Sequence, residues 1–305
     1  MQRDDMIKQQ IIKIKKEKSI FIIAHYYQRT EVQEIADFIG DSYAMALAAK
    51  KAKEEKILVA GVDFMAETAA ILCPEKTVLS PEPMATCPMA DSVDIDEIKK
   101  YREENPETLI VSYVNTPASV KAVSDVCVTS SNAEKIASKL PPNRPILFIP
   151  DKNLADFIEK KIGRNMEKYP SFCPVHARVK TESIRFCKEK YPQAEVLVHP
   201  ECAPEVVKMA DYTGSTGGIL NYATHSPKKS FIIGTEEGIF YALRQKRPDA
   251  EFILAVDELI CPNMKSITLE KILYSLENEE TVIKVPEDIR EKAFNALDKM
   301  IRLSQ

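Results

Sequence analysis

The chain has 305 residues, 45% apolar and 29% charged, with a net charge of −4 at pH 7. This is the composition of an ordinary globular protein, and no apolar run nears the roughly 20 residues a membrane span needs. Basic residues are scattered rather than gathered in a stripe, so neither nucleic acid nor a membrane is expected as a partner.

Residues 1–18, MQRDDMIKQQIIKIKKEK, read as an amphipathic lead-in helix with no signal-peptide apolar core, which predicts a cytoplasmic protein. A strand is expected over 20–24, ending near His25 and Tyr27. Val32, Ile35, Ala36 and Ile39 then stand at helical spacing, and Gly40-Asp41-Ser42 makes a turn into the next helix. Further strands are expected near 39–41, 57–61 and 77–80. The same order returns with strands near 109–114, 126–129, 146–149 and 168–172, and again near 196–199, 212–214, 231–234 and 252–256.

The copies register by residue type. His25, Tyr113 and His199 stand 88 and 86 residues apart, as do Tyr27, Asn115 and Glu201, Asp37, Asp125 and Asp211, and Ser42, Ser130 and Thr216. Each copy reaches a Cys-Pro pair, at Cys87, Cys173 and Cys261. This is a threefold internal repeat. Strands alternating with helices predict an α/β fold in which each copy has a small parallel sheet covered by helices, the three related by a pseudo-threefold axis. The expected domains are 1–86, 87–172 and 173–261, with the helix-rich segment 262–305 packing back on the first.

Seven cysteines without a C-x-x-C pair argue against a disulfide framework in a reducing compartment. Cys73, Cys127, Cys187 and Cys202 have no repeat partners and read as packing. Cys87, Cys173 and Cys261 recur, and packing alone does not explain that. Three converging thiolates suit an iron–sulfur cluster, or zinc completed by His176. Strand ends at the carboxyl edge of a parallel sheet are where ligands bind, which makes His25, Tyr113 and His199 site candidates. Tyr27 and Glu201 are the candidate proton donor and acceptor. Ser215-Thr216-Gly217-Gly218 ahead of a helix over 219–224 suits an anion, as do the hydroxyls of Ser42 and Ser130.

The motifs AHYYQ (24–28), GVDFMAET (61–68), ATCPMA (85–90), YVNT (113–116), PDKNLA (150–155), CPVH (173–176), HPEC (199–202), STGG (215–218) and CPNMK (261–265) resemble, in order and over the whole chain, those of the quinolinate synthases. The resemblance implies three Rossmann-like three-layer α/β/α domains. It implies a 4Fe-4S cluster on Cys87, Cys173 and Cys261 with one open iron. It also implies condensation of iminoaspartate with dihydroxyacetone phosphate to quinolinate in NAD biosynthesis. Glu201 and Tyr27 would be the acid–base pair, and His25, Ser42, Tyr113, Asn115, Ser130, His176, His199 and Thr216 would hold the substrates. The enzyme that supplies iminoaspartate is a further expected partner. One departure is Ser171, where the family usually has glycine. Two other classes fit the cysteines: a non-catalytic iron–sulfur sensor or electron carrier, and a zinc-stabilised binding protein. An electron carrier has no use for His25, Tyr27, Glu201 and the STGG turn, and a zinc protein would be colourless where a cluster protein is brown.

Overall fold

The computed structural model describes residues 2–305. It contains three sheets of four parallel strands, all in one order. In the first, β1 (Ile20–His25), β2 (Phe38–Gly40), β3 (Lys56–Ala60) and β4 (Thr77–Leu79) run β2-β1-β3-β4. In the second, β5 (Leu109–Tyr113), β6 (Val126–Val128), β7 (Ile146–Ile149) and β8 (Glu167–Lys168) run β6-β5-β7-β8. In the third, β9 (Glu195–Val198), β10 (Tyr212–Thr213), β11 (Ser230–Gly234) and β12 (Glu251–Leu254) run β10-β9-β11-β12. With helices on their faces, these are three Rossmann-like three-layer α/β/α units. The central strands read as near-continuous apolar runs because both of their faces are covered.

The repeated aspartates explain the topology of each unit. Asp37, Asp125 and Asp211 accept the backbone N–H of Ile22, Ile110 and Val196 at 2.9, 2.7 and 2.8 Å. Their own N–H groups return to the carbonyls of the same residues. Each aspartate therefore ties the start of the short second strand to the middle of the first, at a point where the chain has just left a helix. In the first unit that helix stops at Ile35, and Ile39 belongs to β2 rather than to the helical stripe its spacing suggests.

Two expectations shift locally. The last strand of the second unit is only Glu167–Lys168, because Pro170 has no N–H for the ladder; Ser171 rejoins it as an isolated bridge to Asp151. The third-unit helix begins at Thr216 rather than 219, since the Ser215 hydroxyl accepts the N–H of Gly218 at 3.1 Å and starts it three residues early.

In the third unit, Val196, Val198 and Ile232 pack on one face while Leu197, Phe231 and Ile233 pack on the other, the period of two of a doubly covered sheet. The first and second units share one large core. The helix Glu287–Ser304 lies across both, against the helices Asp63–Leu72, Ala118–Lys121 and Ala133–Lys139. Its buried stripe is Ala293, Ala296, Leu297, Met300 and Ile301, at helical spacing, and each of the larger three contributes about 2 kcal/mol. The lead-in helix Gln2–Glu17 packs on Leu269–Asn278, whose terminal carbonyls Leu276 and Glu277 are capped by the Lys18 ammonium. Among the described residues no helix is long and apolar enough to cross a membrane.

Candidate active site

His25 ends β1, Tyr113 ends β5 and His199 directly follows β9, so each sheet offers the carboxyl end of its first strand. These ends meet around a cavity of about 150 Å³. His25, Tyr27, Ser42, Cys87, Tyr113, Asn115 and Ser130 line it from the first two units. Cys173, His176, His199, Glu201, Thr216 and Cys261 line it from the third. Every site residue expected from the sequence therefore reaches one cavity.

The three cysteine loops share a device. Cys87 and Cys261 are the N-caps of short helices, Pro88–Asp91 and Pro262–Lys265, with proline at the first position, and Cys173-Pro174 leads into the 3₁₀ turn His176–Arg178. The loops brace one another. Asn263 donates to the Thr86 carbonyl at 2.6 Å, and Ser171 donates to the Met89 carbonyl at 3.2 Å while pairing with the Ser92 hydroxyl at 2.8 Å. The Ser171 side chain thus docks the Cys173 loop on the Cys87 helix.

Burial pushes the Cys87 thiol up to about 12, the backbone N–H groups of Ala90 and Met89 offsetting part of it. Burial likewise raises Cys173, opposed by the His176 N–H, and Cys261, opposed by those of Met264 and Asn263. Main-chain donors directed at three sulfurs suit thiolates, and an electrophilic metal would supply the charge that ionises them. The residues present therefore fit a metal group, and Cys173, His176 and Glu201 bring ligand atoms within 4.8 Å of one another. The other four cysteines are buried in the core, and Cys202 donates to the Gly234 carbonyl at 3.4 Å.

The repeat also sets the histidine tautomers. His25 Nδ1 accepts the N–H of Tyr27 at 3.1 Å, and His199 Nδ1 accepts the N–H of Glu201 at 3.3 Å. Each neutral ring then carries its proton on Nε2. That of His199 points to the Ser130 hydroxyl at 3.2 Å, and that of His25 makes no hydrogen bond to the described residues. Burial drives both rings down to about 3, so they are neutral donors at physiological pH.

Glu201 is buried and heavily partnered. Its Oε2 lies 2.8 Å from His176 Nδ1, and its Oε1 accepts the Tyr113 hydroxyl at 2.7 Å. Burial alone disfavours its charge. The adjacent His199 and His176, with hydrogen bonds from His176 and Tyr113, more than offset that, and the carboxyl stays well below the usual carboxylate range. The phenol of Tyr27 is held in the opposite state: burial, then the Glu201 charge, raise it well above its ordinary value. Glu201 is thus an ionised acceptor and Tyr27 a protonated donor. Asn115 reaches Cys87 Sγ at 3.7 Å with its Nδ2, and its Oδ1 is buried without a partner among the described residues.

A family model described as Quinolinate synthetase A protein matches residues 9–302. The chain belongs to the quinolinate synthase family. It is 49% identical over 296 residues to the quinolinate synthase of Thermodesulfovibrio yellowstonii, covering 97% of each chain. It is 47% identical to that of Geobacter metallireducens, covering 98% of each. It is 46% identical to quinolinate synthase 2 of Methanosarcina acetivorans, covering 99% of this chain and 97% of the relative. The chain is thus an enzyme, and the non-catalytic readings lose their ground.

The site also contains residues to which the sequence alone assigns no role. Asp41 caps the helix Ser42–Lys51 through Ala44 N at 3.0 Å and accepts the Ser215 hydroxyl at 3.4 Å, linking two helix starts from different units. A Cβ on Gly217 would lie 2.9 Å from its Oδ2, so a larger residue there would displace that carboxylate. Glu236, fully buried, accepts Cys261 N at 3.1 Å and pairs with Lys265 at 3.0 Å, whose ammonium also donates to the Tyr27 carbonyl. A signal for Glu236 existed: Asp63, Asp151 and Glu236 each follow the third strand of a unit by a few residues. Thr235, bonded to both Tyr27 and His176, had none, because Val62 and Pro150 stand just before those other acids.

Proposed function

We propose that the enzyme condenses iminoaspartate with dihydroxyacetone phosphate, giving quinolinate, phosphate and two waters. The observation that carries this is the meeting, in one cavity, of a cysteine from each sheet edge with an ionised carboxylate and a protonated phenol. The sum of the two substrates matches quinolinate, phosphate and two waters in every element, so no oxidant is required.

The roles follow from the protonation states. Glu201 accepts a carbon-bound proton, and the Tyr27 phenol donates one to a departing hydroxyl, each group already in the form its task needs. His25 and His199 offer neutral Nε2–H donors to substrate carboxylates, Tyr113 and His176 hold Glu201 in place, and the Asn115 carbonyl accepts from a substrate N–H or O–H. Ser42 and Thr216 stand in the first turns of two helices, and with Ser130 they suit the phosphate. A 4Fe-4S cluster on Cys87, Cys173 and Cys261 would have one iron without a protein thiolate, supplying Lewis-acid polarisation of a substrate hydroxyl or imine nitrogen. Enclosure between the units keeps water from an imine that hydrolyses readily. The enzyme that makes iminoaspartate must therefore deliver it nearby, and we place both in the cytoplasm, where reduced thiols persist.

The test is protein purified without oxygen, analysed for iron and sulfide and titrated with quinolinate. About four irons per chain, a spectrum that responds to quinolinate, and quinolinate formed from the two substrates are the expected results. Four irons with neither response nor product would favour an electron carrier or sensor, and zinc in place of iron would remove the cluster.

A further inference from the structure

We propose that Gln33 and Lys121 are equivalent positioning residues, each pinning the turn that presents a site side chain, Tyr27 in the first unit and Asn115 in the second. The inference rests on the function proposed above and adds two residues to it.

The first strand of every unit ends in the same turn. The N–H of Gln28, Thr116 and Cys202 donates to the carbonyl of His25, Tyr113 and His199, at 3.0 Å in each case. The first and third residues of each turn line the cavity, and the fourth is fully buried. In the first two units a side chain donates to the carbonyl of that fourth residue, a group that would otherwise be costly to bury.

Those side chains are Gln33 and Lys121, both buried. Each stands eight residues past the start of its turn, on the short helix that follows it, Thr30–Ile35 or Ala118–Lys121. Gln33 Nε2 donates to the Gln28 carbonyl at 2.9 Å, and Lys121 Nζ donates to that of Thr116. Gln33 Nε2 also lies 3.1 Å from the Tyr26 carbonyl and 2.9 Å from the Gly238 carbonyl of the third unit. Three carbonyls around one atom fix the orientation of the amide, because its oxygen would be repelled there. Lysine donates whether charged or neutral, so the contact of Lys121 does not depend on its ionisation. Its nearby carboxylate is Glu67 of the first unit, which also accepts the N–H of Ala118 at 2.9 Å.

The third unit lacks the device. Val207 stands at the equivalent position and has no side-chain donor. Its turn is held instead by Pro200, which fixes its own backbone angle, and by Asn153 of the second unit, whose Nδ2 donates to the Glu201 carbonyl at 3.0 Å. The topology therefore accepts an apolar side chain at this position, and the buried donors of the other two units serve the turn rather than the fold of the unit. With the donor gone, the buried carbonyl is left unpaired, a state the turn relieves by shifting.

Kinetics and diffraction test this. Gln33→Met keeps the length and loses the donor, while Gln33→Lys installs the residue of the second unit. The Met variant is expected to hold its iron and its KM within about threefold while kcat falls about 10- to 100-fold, as a displaced Tyr27 requires, and Lys is expected to bring kcat back to within about threefold of wild type. In the second unit, Lys121→Met is combined with Glu67→Gln so that no charge is stranded. That pair is expected to raise KM about tenfold with kcat within about threefold, because Asn115 is assigned to holding substrate. Unchanged kinetics, a Lys variant no better than Met, iron loss, or failure to accumulate folded protein would each overturn the proposal, the last two because these side chains would then support the cysteine loops or the fold. In a crystal structure of the Gln33→Met holoenzyme, a Tyr27 hydroxyl displaced by about 1 Å or more supports the proposal, and an unmoved one overturns it. The diffraction result stands even if the wild-type enzyme makes no quinolinate, an outcome that would refute the proposed reaction separately.

Discussion

The main-chain N–H of Glu201 donates to Nδ1 of His199 at 3.3 Å, so the residue before the proline orients its ring through the residue after it. The first unit repeats the arrangement between Tyr27 and His25. One backbone turn therefore presents, twice, a neutral imidazole donor beside the side chain proposed to move a proton.

That burial makes stability pH-dependent. Both histidines are driven down to about 3 by desolvation in the folded state, against about 6.5 in an unfolded chain. Between those values the unfolded state binds more protons, so stability falls as the pH drops from about 6.5 towards 3. Each ring contributes about 1.4 kcal/mol per pH unit within that window. Urea melts between pH 7.5 and 5 should show the loss, and His199→Asn should flatten the slope by one proton's worth. An unchanged slope would mean that His199 is charged in the fold.

Glu201→Gln replaces an acceptor by an amide of the same shape. It should fold, keep its iron and bind quinolinate, yet lose about 10²- to 10⁴-fold in kcat. Turnover within tenfold of wild type would remove Glu201 from the proton-transfer step.

The cysteines separate by position. Cys87→Ala should lose iron and activity together, whereas Cys202→Ala should retain the full iron content, because its sulfur is spent on the Gly234 carbonyl away from the Cys-Pro loops. Iron analysis of anaerobically purified variants decides it, and iron loss from Cys202→Ala would reassign the ligands.

Gly238 sets the contact between the first and third units. A Cβ there would lie 2.7 Å from the Tyr26 carbonyl oxygen and from backbone atoms of Tyr27, none of which can swing aside. Gly238→Ala should cost about 1–3 kcal/mol in urea unfolding and lower kcat by displacing Tyr27. Wild-type stability and activity would show that the units part there more easily than their packing implies.

If the cavity opens by movement between units, a dicarboxylate analogue held inside should slow trypsin cleavage of the enzyme. Equal cleavage rates with and without the analogue would count against such an opening.

The repeat was legible in the sequence because it is written in residue types at a near-constant period. Asp37, Asp125 and Asp211 return because three copies of one topology each need a carboxylate where the second strand joins the first. The Cys-Pro pairs return because one loop geometry presents all three sulfurs. Strand ends and the residues around the cavity follow from that periodicity, whereas the order of the strands in each sheet is seen only in the fold. Thr235, Asp41 and the path of the last helix do not. Thr235 meets Tyr27 across 208 positions, Asp41 meets Ser215 across 174, and neither contact recurs in another copy. The helix Glu287–Ser304 shows its apolar stripe in sequence, but only the packed units reveal that the stripe covers two of them. A period records what each unit needs for itself, whereas the contacts at the centre are decided where units meet, by distances that exist only after they have packed.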